Sequence, residues 1–204
     1  MNKTSKKQRR RPKQARAIAK YNQILDASAR VLAHCGYRHV TMSEIHLESG
    51  HPYATIYQYF GGKEDVYLAW LERFIDSTIF ELAGRINQTS ELDLSARIEM
   101  SVRYSLEQIV LHRQTLSRLV NDMSLVSSLL IEQVEEKSRG WIRRAFGSQM
   151  ECPENAALLE KMLTATRAGN GYWLMLILNT QRKIDIDQET ENVSALIKAL
   201  LSVR

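Results

Sequence analysis

Between Gln14 and Cys35 the apolar positions Tyr21, Ile24, Leu25, Val31, Leu32 and Cys35, with the small Ser28 among them, recur at i, i+3, i+4 and i+7. That spacing lines one face of a helix. Gly36 closes the run, where a left-handed cap residue is least strained. A second helix is predicted from Thr41-Met42-Ser43-Glu44, whose first and last residues form a capping box: the hydroxyl takes the Glu44 amide and the carboxylate returns to the Thr41 amide. Its apolar side is short (Met42, Ile45, Leu47), and Ser49-Gly50 end it after about two turns. Pro52 follows, suited to the first turn of a third helix because its missing N–H would be unpaired there. This helix is predicted to reach Tyr59. Ile56 and Phe60, four apart, face the core, which leaves Pro52, Tyr53, Thr55, Gln58 and Tyr59 pointing mostly outward. The run Gly61-Gly62-Lys63-Glu64-Asp65 breaks the chain and restarts it, with the two acids suited to the next helix dipole.

The remaining pattern is helical throughout. A long helix from about Lys63 to Asn87 has Trp70, Leu71, Phe74, Ile75, Ile79, Leu82 and Ile86 on more than one face. Further helical periodicity covers Leu94–His112, Gln114–Asn121, Leu125–Phe146, Pro153–Asn179 and Gln188–Val203. In the last, Val193, Leu196, Ile197, Leu200 and Leu201 form an amphipathic stripe. Proline occurs only at 12, 52 and 153, and no stretch alternates long enough to read as a strand. The predicted fold is all-α: a basic arm over residues 1–13, a three-helix domain over 14–62, and a larger helical domain over 63–204. Two short helices joined through a glycine, behind a longer one, form a helix-turn-helix pattern at about residues 40–59. The hydroxyls and amide on the third helix suit phosphates and base edges of DNA. An ordinary helical hairpin whose tyrosines pack on neighbours fits those residues equally well.

Composition narrows the class. At 204 residues, 44% hydrophobic and 25% charged, the chain is long enough for a proper core and ordinary for a soluble globular protein. Its greasiest stretch, Tyr172–Asn179, is too short to span a bilayer, and no apolar region follows the N-terminal charges as in a secretory signal. Cys35 and Cys152 make neither a disulfide framework nor a zinc spacing, so a cytoplasmic protein is expected. No GxSxG, HExxH, P-loop or GxGxxG occurs, and no pair among the five histidines has a ligand spacing within one helix. No enzyme activity, metal or cofactor is therefore expected. The net charge of +5 is uneven: residues 1–20 alone carry +9, so the remainder carries −4. A cationic arm on a mildly acidic body fits a polyanion held at one end, and it also fits a solubilising tail.

The run from Ile24 to Leu71, ILDASARVLAHCGYRHVTMSEIHLESGHPYATIYQYFGGKEDVYLAWL, resembles the DNA-binding domain of the TetR family of bacterial regulators. The ILDAS opening, Gly36-Tyr37, Thr41, Ile45, Gly50, TIYQYF and Lys63-Glu64 carry the resemblance. It implies that Thr41 and Lys63 bond phosphates and that Pro52, Tyr53 and Ala54 meet base edges. Thr55, Tyr57 and Tyr59 would lie along the sugar-phosphate backbone, and Ser43 and Gln58 join them on geometry. Arg9, Arg10 and Arg11, ahead of the first helix, would reach an adjacent A·T-rich minor groove. Three features depart from the family pattern: His46 replaces a small residue at the close approach of the two helices, His51-Pro52 replaces Val-Ser, and Tyr53 replaces a Lys or small residue.

The later region is similar to the family in architecture. Arg167–Asn179 followed by Ile184–Leu201 resembles the paired last helices through which members dimerise. The resemblance implies a homodimer with contacts at Gly169, Tyr172, Leu176, Leu196 and Leu200, bound to a palindromic operator. It also implies a body that acts as a ligand-binding and dimerisation domain, closed around an unknown small-molecule effector. Pocket candidates are Trp70, Phe74, Tyr104, Met123, Trp141, Met162, Thr166, Asn170 and Trp173, an inventory that favours a largely apolar ligand. The expected function is a repressor released from double-stranded DNA by that ligand. The rival is a DNA-bound adaptor whose body binds a protein.

Overall fold

In the computed structural model, residues 12–89, 91–122, 134–140, 142 and 156–201 are described, and all their regular structure is helical. The helices are α1 (Ala15–Cys35), α2 (Met42–Ser49), α3 (Tyr53–Tyr59), α4 (Lys63–Gln88), α5 (Leu94–Asp122), α6 (helical over 134–140), α7 (Ala156–Leu178) and α8 (Ile186–Leu201). They form two compact units, one ending at Arg73 and the other beginning at Phe74, with the boundary inside α4. The first unit includes α4's opening turns because those turns are bound to α1. The buried Tyr67 hydroxyl donates to the Ser28 carbonyl at 3.0 Å, and Arg73 donates to the Asn22 carbonyl and the Asp26 carboxylate. Trp70, read from the sequence as a pocket candidate, is likewise buried in this first unit and so belongs to its core.

The ends of the short helices follow their local chemistry. The Thr41 hydroxyl accepts from the Glu44 amide at 3.2 Å, and the Glu44 carboxylate accepts from the Thr41 amide at 2.7 Å, completing the capping box. Gly50 ends α2 at φ 66°, a left-handed conformation in which a side chain would be strained. Pro52 is the N-cap of α3, one position earlier than the expected first-turn placement. Its backbone is extended at ψ 147°, and its carbonyl accepts from Thr55 and Ile56.

In the second unit α5, α7 and α8 enclose a core of Ile98, Val102, Leu106, Leu176 and Val193. The two segments expected at 94–112 and 114–121 are one continuous helix, α5. No glycine or proline interrupts them, and Arg113 at the expected break is engaged elsewhere. Its guanidinium donates to the carbonyls of Leu176 (3.0 Å), Asn179 and Arg182 (2.7 Å), which closes the end of α7 and the turn into α8. Within the same corner the buried Glu189 carboxylate accepts from Tyr172 and Arg182.

Candidate nucleic-acid interface

The first unit holds α3 by its inner side and leaves its outer side open. Ile56 and Phe60 are buried, and Tyr21 of α1 stacks on Phe60 with centroids 5.0 Å apart. The same Tyr21 ring meets Tyr59 edge-on at 5.7 Å, so Tyr59 is half-buried against α1 and turned partly away from solvent. Pro52, Tyr53, Ala54, Tyr57 and Gln58 are exposed and Thr55 is half-buried. The tyrosines are large apolar side chains left in water, Tyr53 at 41% and Tyr57 at 42% exposure. No side chain of α3 is charged. The face therefore offers flat rings, a methyl, hydroxyls and one amide, which suit base edges and sugar-phosphate better than an acidic or metal-bearing partner.

The two histidines of the turn are built into the domain. His46 lies against Tyr53 with ring centroids 4.3 Å apart and planes 29° apart, and its Nδ1 is 2.7 Å from the His51 carbonyl. His51 Nε2 is 2.9 Å from Gln23 Oε1 on α1, and its amide donates to the Ser49 hydroxyl. The space that a small residue would close is filled by an imidazole stacked on a phenol. The linear pattern marks His46 as a departure but gives no sign of the bond between His51 and Gln23, which are 28 positions apart.

Two of the expected phosphate contacts have internal partners. Besides its cap bond, the Thr41 hydroxyl donates to Glu44 at 3.0 Å. Lys63 donates to the carbonyls of Tyr37 (2.9 Å) and Val40 (3.0 Å), with its ammonium 4.6 Å from the Tyr37 ring centre. Lys63 thus fastens the start of α4 to the turn before α2. Burial, then the nearby Glu64 charge, raises the Tyr37 phenol above its ordinary pKa. Ser43 is exposed. Arg9, Arg10 and Arg11 lie outside the described residues, as do Met123 and Trp141 of the pocket candidates.

In the second unit, Met162 and Thr166 line a mainly apolar cleft of about 80 Å³ together with Ile98, Val102, Ala165 and Ile197. The other candidates lie elsewhere. Phe74 meets His112 edge-on, and Tyr104 packs with Leu82 and Ile86 beneath the Arg85 guanidinium. Trp173 packs beside Tyr172 against the α5–α7–α8 core, and Asn170 is half-buried. Leu176, expected at a dimer contact, is wholly buried in that core and has no surface to offer a second chain. Gly169 is buried too, and a methyl there would meet only Trp173 at 3.9 Å. Leu196 and Leu200 of α8 are exposed, as are Leu174, Met175 and Leu178 of α7.

Residues 24–70 match the family described as "Bacterial regulatory proteins, tetR family". Among solved structures the chain is similar to the fatty acid degradation regulator FadR from Bacillus halodurans, with a TM-score of 0.69 and 21% identity over 92% of this chain and 96% of that one. It is also similar to a tetR-family transcriptional regulator from Streptomyces coelicolor (TM-score 0.66, 21% identity, 90% and 81% covered). A TetR-like transcriptional regulator from Rhodococcus sp. RHA1 aligns with a TM-score of 0.57 and 14% identity over 96% and 100%. No curated protein matches the chain. At these identities the structural likeness establishes a shared fold, that of TetR-family transcriptional regulators.

Proposed function

We propose, from the premise that residues 24–70 belong to the tetR family of bacterial regulatory proteins, that this protein is a cytoplasmic transcriptional regulator that binds a palindromic operator as a homodimer. The observation that carries the reading is the outer face of α3. A short uncharged helix anchored by Ile56 and Phe60 leaves Tyr53, Ala54, Tyr57 and Gln58 in solvent, where a major groove can take them. Ser43 and Tyr57 are the side chains best free to hold phosphate, whereas Lys63 and Thr41 act first as internal braces. The exposed apolar residues Leu174, Met175 and Leu178 of α7 and Leu196 and Leu200 of α8 supply the dimer face.

A small, largely apolar ligand in the body relieves operator binding in this reading, which makes the protein a repressor. The cleft holding Met162 and Thr166 supports an apolar ligand by its lining. Its volume of about 80 Å³ is well below the 300–1,000 Å³ typical of drug-sized ligands. That size also keeps a second reading in place, in which the body of a DNA-bound adaptor takes a protein instead of a small molecule.

The test is fluorescence anisotropy on the DNA immediately upstream of the protein's own gene, against a shuffled duplex at physiological salt. Wild type should prefer the upstream DNA by about a thousandfold or more, and a Tyr53→Ala/Tyr57→Ala variant should lose the preference. Equal, weak binding of the wild type to that duplex and to every other duplex offered would overturn the reading.

A further inference from the structure

We infer that His46 is a positioning residue for base reading: by stacking on Tyr53 it holds the phenol ring ready to meet a thymine methyl group, so that α3 selects A·T pairs. The inference rests on α3 being the DNA-reading helix. Bidentate reading of guanine needs Arg or Lys, and Tyr53–Tyr59 contains neither. What the helix exposes is two phenol rings, the Ala54 methyl and the Gln58 amide. Rings and methyls suit the thymine 5-methyl group, and a Gln amide pairs with the N6 and N7 edge of adenine.

An exposed tyrosine at the first residue of a helix would ordinarily exchange rotamers within picoseconds to nanoseconds. Tyr53 has a brace. The His46 imidazole is 4.3 Å away at 29°, and that imidazole is itself fixed, since Nδ1–H can donate to the His51 carbonyl at 2.7 Å. His51 is bound in turn to Gln23 of α1. Tyr57 lies one turn further on, 6.4 Å from Tyr53 with planes 19° apart, so the Tyr53 ring stacks with both His46 and Tyr57. The orientation of Tyr53 is thereby tied to the body of the domain through α2 and α1. The brace is expected to be worth about two- to tenfold in binding, the range of a single aromatic pair.

The experiment selects duplexes from a randomised pool with the wild-type full chain, then replaces each selected thymine in turn by deoxyuridine, which removes only the 5-methyl group. Wild type should lose about two- to tenfold at one thymine per half-site. His46→Asn keeps an N–H for the His51 carbonyl but removes the ring. It should lose that same factor on the parent duplex and be indifferent to the deoxyuridine, while His46→Phe, which keeps a ring, retains the response. Binding of all three to a shuffled duplex should be unchanged, because the brace acts on base reading alone. Thermal melts confirm folding; if His46→Asn is unfolded, His46→Gln, which also lacks the ring, takes its place with the same expected and overturning outcomes. Selected sites without a methyl-dependent thymine, or full methyl discrimination by His46→Asn, would overturn the inference. A pool from which wild type enriches no sequence would instead sink the DNA-reading proposal beneath it.

Discussion

Tyr67 joins α4 to α1 through one proton, the one its buried hydroxyl donates to Ser28. Burial is the main cause that lifts its pKa far above the ordinary 10.0, with Cys35, Glu44 and Tyr37 adding to the effect. The sign follows directly. A phenol harder to ionise in the folded state leaves stability intact below pH 10.0, and the unfolded chain gains as pH rises past that value. Stability should then fall by about 1.4 kcal/mol per pH unit for this group. Tyr67→Phe should cost about 1 kcal/mol at neutral pH, by removing its hydrogen bond to the Ser28 carbonyl, and should flatten the alkaline fall measured by urea unfolding between about pH 9 and 11. Equal alkaline slopes in both proteins would assign the effect to other groups. At this scale the sequence made the core side chains legible, since Ile24, Ile45, Ile56 and Phe60 are all buried where the helical period puts them. The partners of polar side chains were not legible. Gln23 with His51, and Lys63 with Tyr37 and Val40, are joined by chain folding over 23 or more positions.

Elements were read most reliably where their ends carry their own chemistry. Thr41, Glu44 and Gly50 bound α2 with no help from the rest of the protein. The third helix has no side-chain cap, so its start at Tyr53 depends on Pro52 and on the anchoring of Ile56. In α5 the apparent break at Arg113 vanished because its charged group is used by α7 and the turn after it. For α7 the helical periodicity did not say which of its apolar residues face inward. Leu176 proves to face the protomer's own core, while Leu174, Met175 and Leu178 stay outside. Leu196→Glu/Leu200→Glu should therefore leave helicity by circular dichroism unchanged, since those residues are 44% and 37% exposed, and convert a dimer to a monomer in light scattering. A dimer of undiminished stability in that variant would move the interface elsewhere.

For the whole molecule the governing feature is the separation of charge. Residues 1–13 contain Lys3, Lys6, Lys7, Arg9, Arg10, Arg11 and Lys13 and no acid, ahead of a chain that is otherwise net negative. If the arm lies along DNA, deleting it should lower affinity for any duplex and reduce the slope of log K against log salt by about 0.9 for each phosphate the arm neutralises. An unchanged slope in a salt titration would make the arm a bystander. The sequence by itself determined the all-α class, the helix-turn-helix between Thr41 and Tyr59, and the cationic arm. Each of these is written in local order: a 3.6-residue period, caps within four positions, and formal charge. Only the tertiary structure decided that His46 stacks on Tyr53, that Leu176 lies inside the protomer, and that Met162 and Thr166 share a cleft. Those facts depend on which distant helix lies against each side chain, and a helical period is silent about the neighbour that covers its face.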